Sequence, residues 1–178
     1  MLPFTTAFAA SFQADPAHST IGFEVKHLSF ATVRGNFPEF SGSFEFDEAK
    51  PASTHAEFTI KTASISTSNA KRDEHLRSPE FFDASKFPEA RFVSTSVKKT
   101  SEKKYALEGD LTIRDVTKKV KFDLAYLGKA QDPMSSREKA AFQATTQINR
   151  RDFGLNYGPS AVISDTVKLT VDLEAAKK

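Results

Sequence analysis

Alternation of apolar and polar residues dominates the chain from Ser19 onward and predicts β-strands. In the stretch STIGFEVKH, every second residue from Ile21 to His27 is apolar or imidazole, whereas the intervening positions are small or charged. A period of two is typical of a half-buried strand. The same period recurs near residues 40–47, 54–61, 90–97, 105–114, 119–126, 141–148 and 166–173. Because each strand has one polar face, the pattern predicts an antiparallel sheet of about eight strands, with a turn or bulge at Arg34-Gly35-Asn36.

One stretch, NAKRDEHLRSPEFFDASKFP at residues 69–88, departs from this period and predicts helix. Ser68 is a candidate cap for a first short helix, and Ser78 followed by proline is a candidate start for a second. The two helices are expected within about residues 68–84, joined near Arg77. A polar cluster stands here directly before an aromatic cluster, an arrangement that suits an amphiphilic ligand.

Closure of the predicted sheet into a barrel would remove its two exposed edges. The predicted fold class is therefore all-β: an eight-stranded antiparallel lipocalin-like barrel with one short helical excursion, spanning residues 15–175. Side chains either fill such a barrel or leave room for one small ligand. Residues 1–14 are interpreted as the remnant of an export signal or a disordered N-terminus, since Ala7-Phe8-Ala9 resembles a signal cleavage site; residues 176–178 form a tail.

Phenylalanine dominates the aromatic content, with 17 Phe against 3 Tyr and no Trp. Phe has no polar atom to satisfy, so a Phe-rich interior can enclose a dry space that binds by shape. Small residues also occur at predicted inward positions, namely Gly42, Ala56, Gly109 and Ala144. Small residues opposite large ones can be ordinary packing in a tapering barrel or the space for a guest. Both interpretations stay open on the sequence.

Charge and motifs exclude several classes of function. The 25 basic and 23 acidic residues are interspersed, which argues against a nucleic-acid partner. No segment approaches the ~20 apolar residues of a spanning helix, so stable membrane insertion is not expected. There is no cysteine, and the four histidines lack the close spacing of a metal-binding pair, so neither a metal nor a cofactor is expected. Hydrolase and phosphate-binding motifs are also missing.

Several short motifs together resemble the YceI-like family. They are Asp15-x-x-His18-Ser19, Phe23-x-Val25-x-His27, Gly35-x-Phe37, Asn69-x-x-Arg72-Asp73-x-His75-Leu76-x-Ser78, Phe81-Phe82-Asp83, Phe87-Pro88, Gly109-x-Leu111-Thr112-Ile113 and Arg151-Asp152-Phe153-Gly154. The resemblance covers about Asp15 to Glu174. It implies an extended lipocalin-like barrel whose internal pocket holds a polyisoprenoid or similar long-chain amphiphile, often in an exported bacterial protein. One departure is Asp115, where the family usually has glycine in a turn.

Two groups of residues are predicted to contact such a ligand. The chain, or tail, is expected against apolar inner positions: Phe23, Phe37, Phe44, Phe58, Ile60, Phe81, Phe82, Phe92, Leu111, Phe122, Phe142, Ile148 and Phe153. The head group is expected against polar residues at the mouth: His27, Asn69, Arg72, His75 and Arg151. For the two arginines the alternative is an ion pair with the adjacent Asp73 or Asp152, and for His27 it is a hydrogen-bonded core position.

The sequence thus predicts a non-catalytic carrier or sequestering protein for one long-chain polyisoprenoid or quinone-like lipid. The rival prediction is a small lipid-modifying hydrolase or isomerase that uses His27 or His75 in the same cavity. A periplasmic or secreted location is favoured, with a cytoplasmic one left open. A homodimer is also left open, because an exposed Phe on an edge strand would favour one.

Overall fold

Ten antiparallel strands and one short α-helix make up the protein in a computed structural model, which describes residues 10–178. The strands are β1 (Ala10–Ala14), β2 (Thr20–His27), β3 (Ala31–Asn36), β4 (Phe40–Phe46), β5 (His55–Lys61), β6 (Glu89–Ser101), β7 (Lys104–Ile113), β8 (Val116–Gln131), β9 (Glu138–Asn149) and β10 (Ile163–Lys177). The helix α1 comprises Ala70–Arg77. No helix within residues 10–178 combines the length and the apolarity needed to cross a bilayer.

The sheet closes into a barrel because β1 pairs with β4 on one side and with β10 on the other. Strands β1 and β4 to β10 form the eight-stranded barrel, and β2 and β3 extend the sheet from residues 163–172 of β10. The prediction of an antiparallel lipocalin-like barrel is therefore confirmed. The alternation did not reveal β1, which lies in the segment interpreted as a signal remnant or disordered N-terminus; that interpretation of residues 1–9 falls outside the described residues.

Strand β3 corrects the predicted turn at Arg34-Gly35-Asn36. These residues pair with β2, with Gly35 opposite Phe23. A Cβ atom on Gly35 would lie 2.3 Å from the ring of Phe23, so the glycine lets this ring lie flat across the neighbouring strand. The reversal occurs earlier, at Leu28 and Ser29, which both have positive φ angles.

The helical excursion contains one helix instead of the predicted two. The N-cap of α1 is Asn69, whose side-chain oxygen accepts from the backbone N–H of Arg72 at 3.0 Å, and not Ser68. Ser78 ends α1, and its carbonyl accepts from the N–H groups of Phe81 and Asp83 to build a series of turns. The Ser-Pro sequence thus marks a turn and not a second helix, because these hydrogen bonds to the Ser78 carbonyl are not followed by a continuous series of helical hydrogen bonds.

The two ends of the barrel differ. At one end, here called the helix end, lie α1 and the loop of residues 150–162; at the opposite hairpin end lie the β4–β5, β6–β7 and β8–β9 loops. Aromatic rings close the hairpin end, since Phe46 contacts Tyr105, Tyr126 and Phe142 with ring centroids 5.0 to 5.6 Å apart. Burial raises the pKa of both tyrosines above their usual value of 10.0.

Candidate functional site

An apolar cavity of about 140 Å³ lies inside the barrel and is called the inner cavity. Apart from Ile21 of β2 and Thr54 before β5, its walls come from every second residue of the barrel strands, which is the face that the alternation places inward. They are Ile21, Phe44, Phe46, Thr54, Ala56, Phe58, Ile60, Phe92, Leu107, Leu111, Phe122, Leu124, Phe142, Ala144, Leu169, Val171 and Leu173. Thr54 supplies the single hydroxyl in this set, so the inner cavity suits a hydrocarbon chain.

The small inward residues divide into two kinds. A Cβ atom on Gly42 would lie 2.2 Å from the ring of Phe58, and one on Gly109 would lie 2.5 Å from the ring of Phe92. These glycines thus serve ordinary packing, because a ring already occupies the space above each. Ala56 and Ala144, in contrast, line the inner cavity directly. The packing interpretation therefore holds for the two glycines, and guest space beside Ala56 and Ala144 stays a prediction.

A second cavity, of about 290 Å³, lies at the helix end and is called the mouth cavity. Its surface, like that of the inner cavity, is almost wholly apolar, but polar side chains are among its lining residues. Its lining residues are Phe23, Val25, Lys26, His27, Val33, Thr67, Arg72, His75, Leu76, Phe81, Tyr157 and Ile163. The arrangement can therefore contact the apolar chain and the polar head of one amphiphile.

Strand β2 connects the two cavities, since Ile21 lines the inner cavity and Phe23, two residues along the same face, lines the mouth cavity. Phe37 lies at this junction: its backbone N–H donates to the carbonyl of Ile21 at 2.9 Å, and its ring lies 5.7 Å from that of Phe23 and 5.6 Å from that of Phe82. The three rings, called the aromatic partition, pack together beside Ile21 and Phe23 of β2.

Arg72 is held in the mouth by Thr67. Its Nε donates to the Thr67 hydroxyl at 2.7 Å and one Nη donates to the Thr67 carbonyl at 2.9 Å. The buried carboxylate of Asp73 fixes Thr67 in turn, by accepting from its N–H at 2.8 Å and its hydroxyl at 2.6 Å. Arg72 forms no ion pair within residues 10–178, so the predicted alternative of a pair with Asp73 is wrong. Its remaining N–H groups are placed to meet an anionic or carbonyl oxygen.

Three rings form one wall of the mouth cavity. The His75 imidazole packs edge-on against Phe81, at 5.0 Å between centroids, and against Tyr157, at 4.6 Å. Its Nε2 is hydrogen-bonded to the Glu80 carboxylate, which fixes the orientation of the ring. His27 lines the same cavity from the end of β2, where it is exposed, so the alternative of a buried core histidine is wrong.

A buried arginine shapes the loop that carries Tyr157. Arg150 is only 3% exposed and donates to the carbonyls of Leu155 at 2.6 Å and Tyr157 at 2.9 Å, as well as to the Asp165 carboxylate at 3.1 Å. Desolvation lowers the pKa of Arg150, while hydrogen bonds from Ser160 and Arg151 hold the pKa of Asp165 below its usual 3.8. These contacts fasten the loop to the start of β10.

The structure brings most of the predicted site residues to the two cavities. Of the predicted tail contacts, Phe44, Phe58, Ile60, Phe92, Leu111, Phe122 and Phe142 line the inner cavity, and Phe23 and Phe81 line the mouth cavity. Phe37, Phe82, Ile148 and Phe153 line neither and pack in the core. Of the predicted head-group residues, His27, Arg72 and His75 line the mouth cavity. Ligand contact by all of these stays a prediction.

Two predicted head-group residues have structural roles instead. Asn69 caps α1, and Arg151 donates to Asp165 at 2.6 Å and to the Gly158 carbonyl at 2.8 Å. Neither residue lines the mouth cavity. The predicted alternative for Arg151, an ion pair that fastens a loop, is correct in kind, but its partner is Asp165 and not the adjacent Asp152.

Several lining residues were not predicted as ligand contacts. The inward positions Ile21, Leu107, Leu124 and Leu169 carry the same alternation signal as the phenylalanines and could have been chosen from it. Tyr157 had no such signal, because it reaches the mouth on a loop whose path depends on Arg150.

A cluster of titratable groups outside the cavities consists of Asp15, His18 and Glu174. Its ligand atoms lie within 4.8 Å of one another. The ammonium of Lys139 already occupies this site, at 2.6 Å from the Glu174 carboxylate and 3.5 Å from that of Asp15. Because a lysine supplies the positive charge, we propose no metal ion there.

Closure of the antiparallel sheet around an apolar interior defines the class of the protein as a lipocalin-like barrel. The YceI-like domain model matches residues 12–175, and the chain therefore belongs to the YceI-like family. A UPF0312 protein of Pseudomonas putida strain W619 is 40% identical over 174 residues, covering 97% of this chain and 89% of its own.

Solved structures share this architecture. Burkholderia cenocepacia BcnA superposes with a TM-score of 0.83 at 25% identity, over 90% of this chain and 98% of its own. A polyisoprenoid binding domain from Saccharophagus degradans, described as implicated in plant cell wall breakdown, superposes with a TM-score of 0.72. It is 16% identical, with coverage of 96% of this chain and 99% of its own, so this likeness shows the fold alone.

Proposed function

We propose that the protein binds one long-chain polyisoprenoid or quinone-like lipid and carries or sequesters it without catalysis. The observation that carries this proposal is the apolar inner cavity, in line along β2 with a mouth where Arg72, His27 and His75 meet. The chain of the ligand would lie in the inner cavity and its head group at the mouth. The polyisoprenoid binding described for the S. degradans domain, which shares the fold, is consistent with this ligand class.

The energetics of chain burial suffice for such a function. Each buried methylene contributes ~0.8 kcal/mol, so ten buried carbons give roughly 8 kcal/mol before ordering costs are subtracted. The mouth cavity alone, at about 290 Å³, and the inner cavity alone, at about 140 Å³, both fall below the ~300 Å³ of the smallest usual ligand pockets. If the two cavities were joined, their combined volume would lie within the range of usual ligand pockets. Binding is therefore expected to move Phe37 and merge the two cavities.

Organic extraction of the purified protein followed by mass spectrometry tests the proposal, with a second extraction after incubation with prenyl lipids. The expected result is one prenyl or quinone-like lipid for each chain. A protein that yields no such lipid, before or after incubation, would contradict the proposal. Quenching of intrinsic tryptophan fluorescence cannot replace this assay, because the chain contains no Trp.

The rival function, modification of a lipid in the same cavity, would use His75 and its hydrogen-bond partner Glu80. Replacement of His75 or His27 by alanine separates the two functions. If the protein is a carrier, both variants keep the affinity for the prenyl chain, and neither the wild type nor the variants form a lipid product. An enzyme converts a bound lipid, and the variants lose this conversion while binding persists.

We further propose that the protein acts in the periplasm or is secreted. The support is the Ala7-Phe8-Ala9 sequence, which resembles a signal cleavage site. Fractionation of cells that express the full-length gene would place the protein in the periplasm or the medium. Recovery in the cytoplasm alone would contradict this location.

A further inference from the structure

Two large apolar side chains project from the tip of the β2–β3 hairpin. Phe30 is 77% exposed and Leu28 is 47% exposed. Leu28 has a φ of 51°, a left-handed conformation that is uncommon for residues other than glycine. Its backbone N–H donates to the carbonyl of Val162 at 2.9 Å, which ties the tip to the loop beside the mouth. The apolar tip is therefore held in a defined position.

The tip is continuous with the mouth cavity. His27, directly before the tip, and Val33, three residues beyond Phe30, both line that cavity. Tyr157 lines it too and is 42% exposed. An apolar surface thus borders the opening through which a lipid chain would pass.

Basic side chains lie next to this apolar surface at the mouth cavity. Lys26 and Arg72 line the mouth cavity, and Lys71 is exposed beside Arg72 at the start of α1. None of these three forms an ion pair within residues 10–178, whereas the nearby Glu24 is paired with Arg34. Glu80 is hydrogen-bonded to His75. Asp73 and Glu74, the two acids of α1, offset part of this charge, but neither lines the mouth cavity. The lining of the mouth cavity thus holds two cations and no carboxylate, which is complementary to anionic lipid head groups.

We propose that the hairpin tip, Leu28 to Phe30, docks the protein on the surface of an anionic bilayer with the mouth cavity facing the lipids. This inference rests on the proposed function, because a long prenyl chain is poorly soluble in water and must be collected from a membrane. Two projecting side chains beside a cationic rim are typical of interfacial anchors. They are too small a surface for a stable dimer, which buries about 1,200 Å² or more.

A tryptophan reporter tests the docking, since the chain has no other Trp. Phe30→Trp places the reporter at the tip, and Met134→Trp places it on a residue that is still more exposed, at 95%, at the hairpin end. On addition of vesicles of phosphatidylcholine and phosphatidylglycerol, we expect a blue shift and quenching by brominated lipid for the tip reporter alone. Equal responses of both reporters, or none, would overturn the proposal.

Co-sedimentation with the same vesicles supplies a second readout that needs no bound ligand. The Leu28→Ser, Phe30→Ser double variant is expected to partition about tenfold less than the wild type, with prenyl loading from ethanol solution unchanged. Sedimentation equal to that of the wild type would overturn docking and leave the proposed function standing. Docking without any prenyl loading would overturn the proposed function instead. A tip reporter that shifts with protein concentration in the absence of vesicles would assign the tip to a second copy of the chain.

Discussion

Replacement of Ala144 by leucine would fill the inner cavity and should raise stability while lowering lipid affinity. Ala144 is buried on β9 and pairs with Leu124 and Val171, which line the cavity beside it. An unfilled void of about 140 Å³ corresponds to about 3 kcal/mol at ~24 cal/mol per Å³. The wild-type protein therefore maintains an empty space at a cost in its own folding free energy.

The magnitude follows from the three carbons that leucine adds. Their burial contributes about 2.4 kcal/mol, and the lost rotamer freedom of leucine costs about 0.5 to 1 kcal/mol. The free energy of unfolding of the lipid-free protein should rise by about 1.5 kcal/mol, which corresponds to roughly 3 to 6 °C in Tm. The same carbons displace a comparable length of prenyl chain, so affinity should fall by about 2 kcal/mol, or roughly thirtyfold.

Thermal unfolding of the delipidated protein and titration with a labelled prenyl lipid measure the two effects. Ala125→Leu, on the outward face of the neighbouring strand β8, is the matched control and should leave prenyl affinity unchanged. Undiminished prenyl affinity in Ala144→Leu would refute the placement of the chain. Destabilisation by about 1 to 3 kcal/mol would indicate overpacking of an interior that has no usable space.

Three further predictions concern the partition, the mouth and the loop. Phe37→Ala should merge the two cavities, speed the uptake of prenyl lipid in stopped-flow mixing and lower stability by about 2 to 3 kcal/mol, since Phe37 is only partly buried; unchanged uptake would contradict its role as a partition. Arg72→Leu should lower the affinity for a prenyl phosphate by about tenfold and leave the affinity for the prenol of equal length unchanged, as measured by calorimetry. Equal losses of affinity for the two ligands would instead indicate a damaged mouth. Because the folded-state pKa of Asp165 lies below 3.8, its ionised form stabilises the protein above that pH, and the stabilisation is lost as the pH falls through the folded-state pKa. Asp165→Asn should therefore be less stable than the wild type at neutral pH in denaturant titrations, and the difference should vanish in acid; a difference that persists in acid would assign it to packing.

The barrel was predictable because its signal is local and repeated. Each inner position, such as Phe44 or Leu111, follows from a period of two that needs no knowledge of the partner strand. The strands that were missed lacked that signal. Strand β1 is five residues long, and Gly35 in β3 was interpreted as a turn residue although it accommodates the ring of Phe23.

The sequence predicted the kinds of residues at the site better than their positions and hydrogen-bond partners. The motif around Arg72 and His75 placed both residues at the mouth, but Arg151 required knowledge of Asp165, fourteen positions away in sequence. The turn after Ile113 shows the same limit: Arg114, and not Asp115, has the positive φ of 56°. Long-range hydrogen bonds and turn geometry depend on the folded chain, and no local pattern encodes them.

The central claim is that the prenyl chain lies in the inner cavity, and isotope-filtered NMR tests it most directly. The leucine and isoleucine methyl groups would be labelled with ¹³C and the protein loaded with an unlabelled prenyl lipid. Cross-relaxation from the chain to Leu107, Leu111 and Leu169, which all line the inner cavity, is the predicted result. Contacts confined to Leu127, which is 60% exposed on β8, or to no methyl group of the inner cavity, would contradict it.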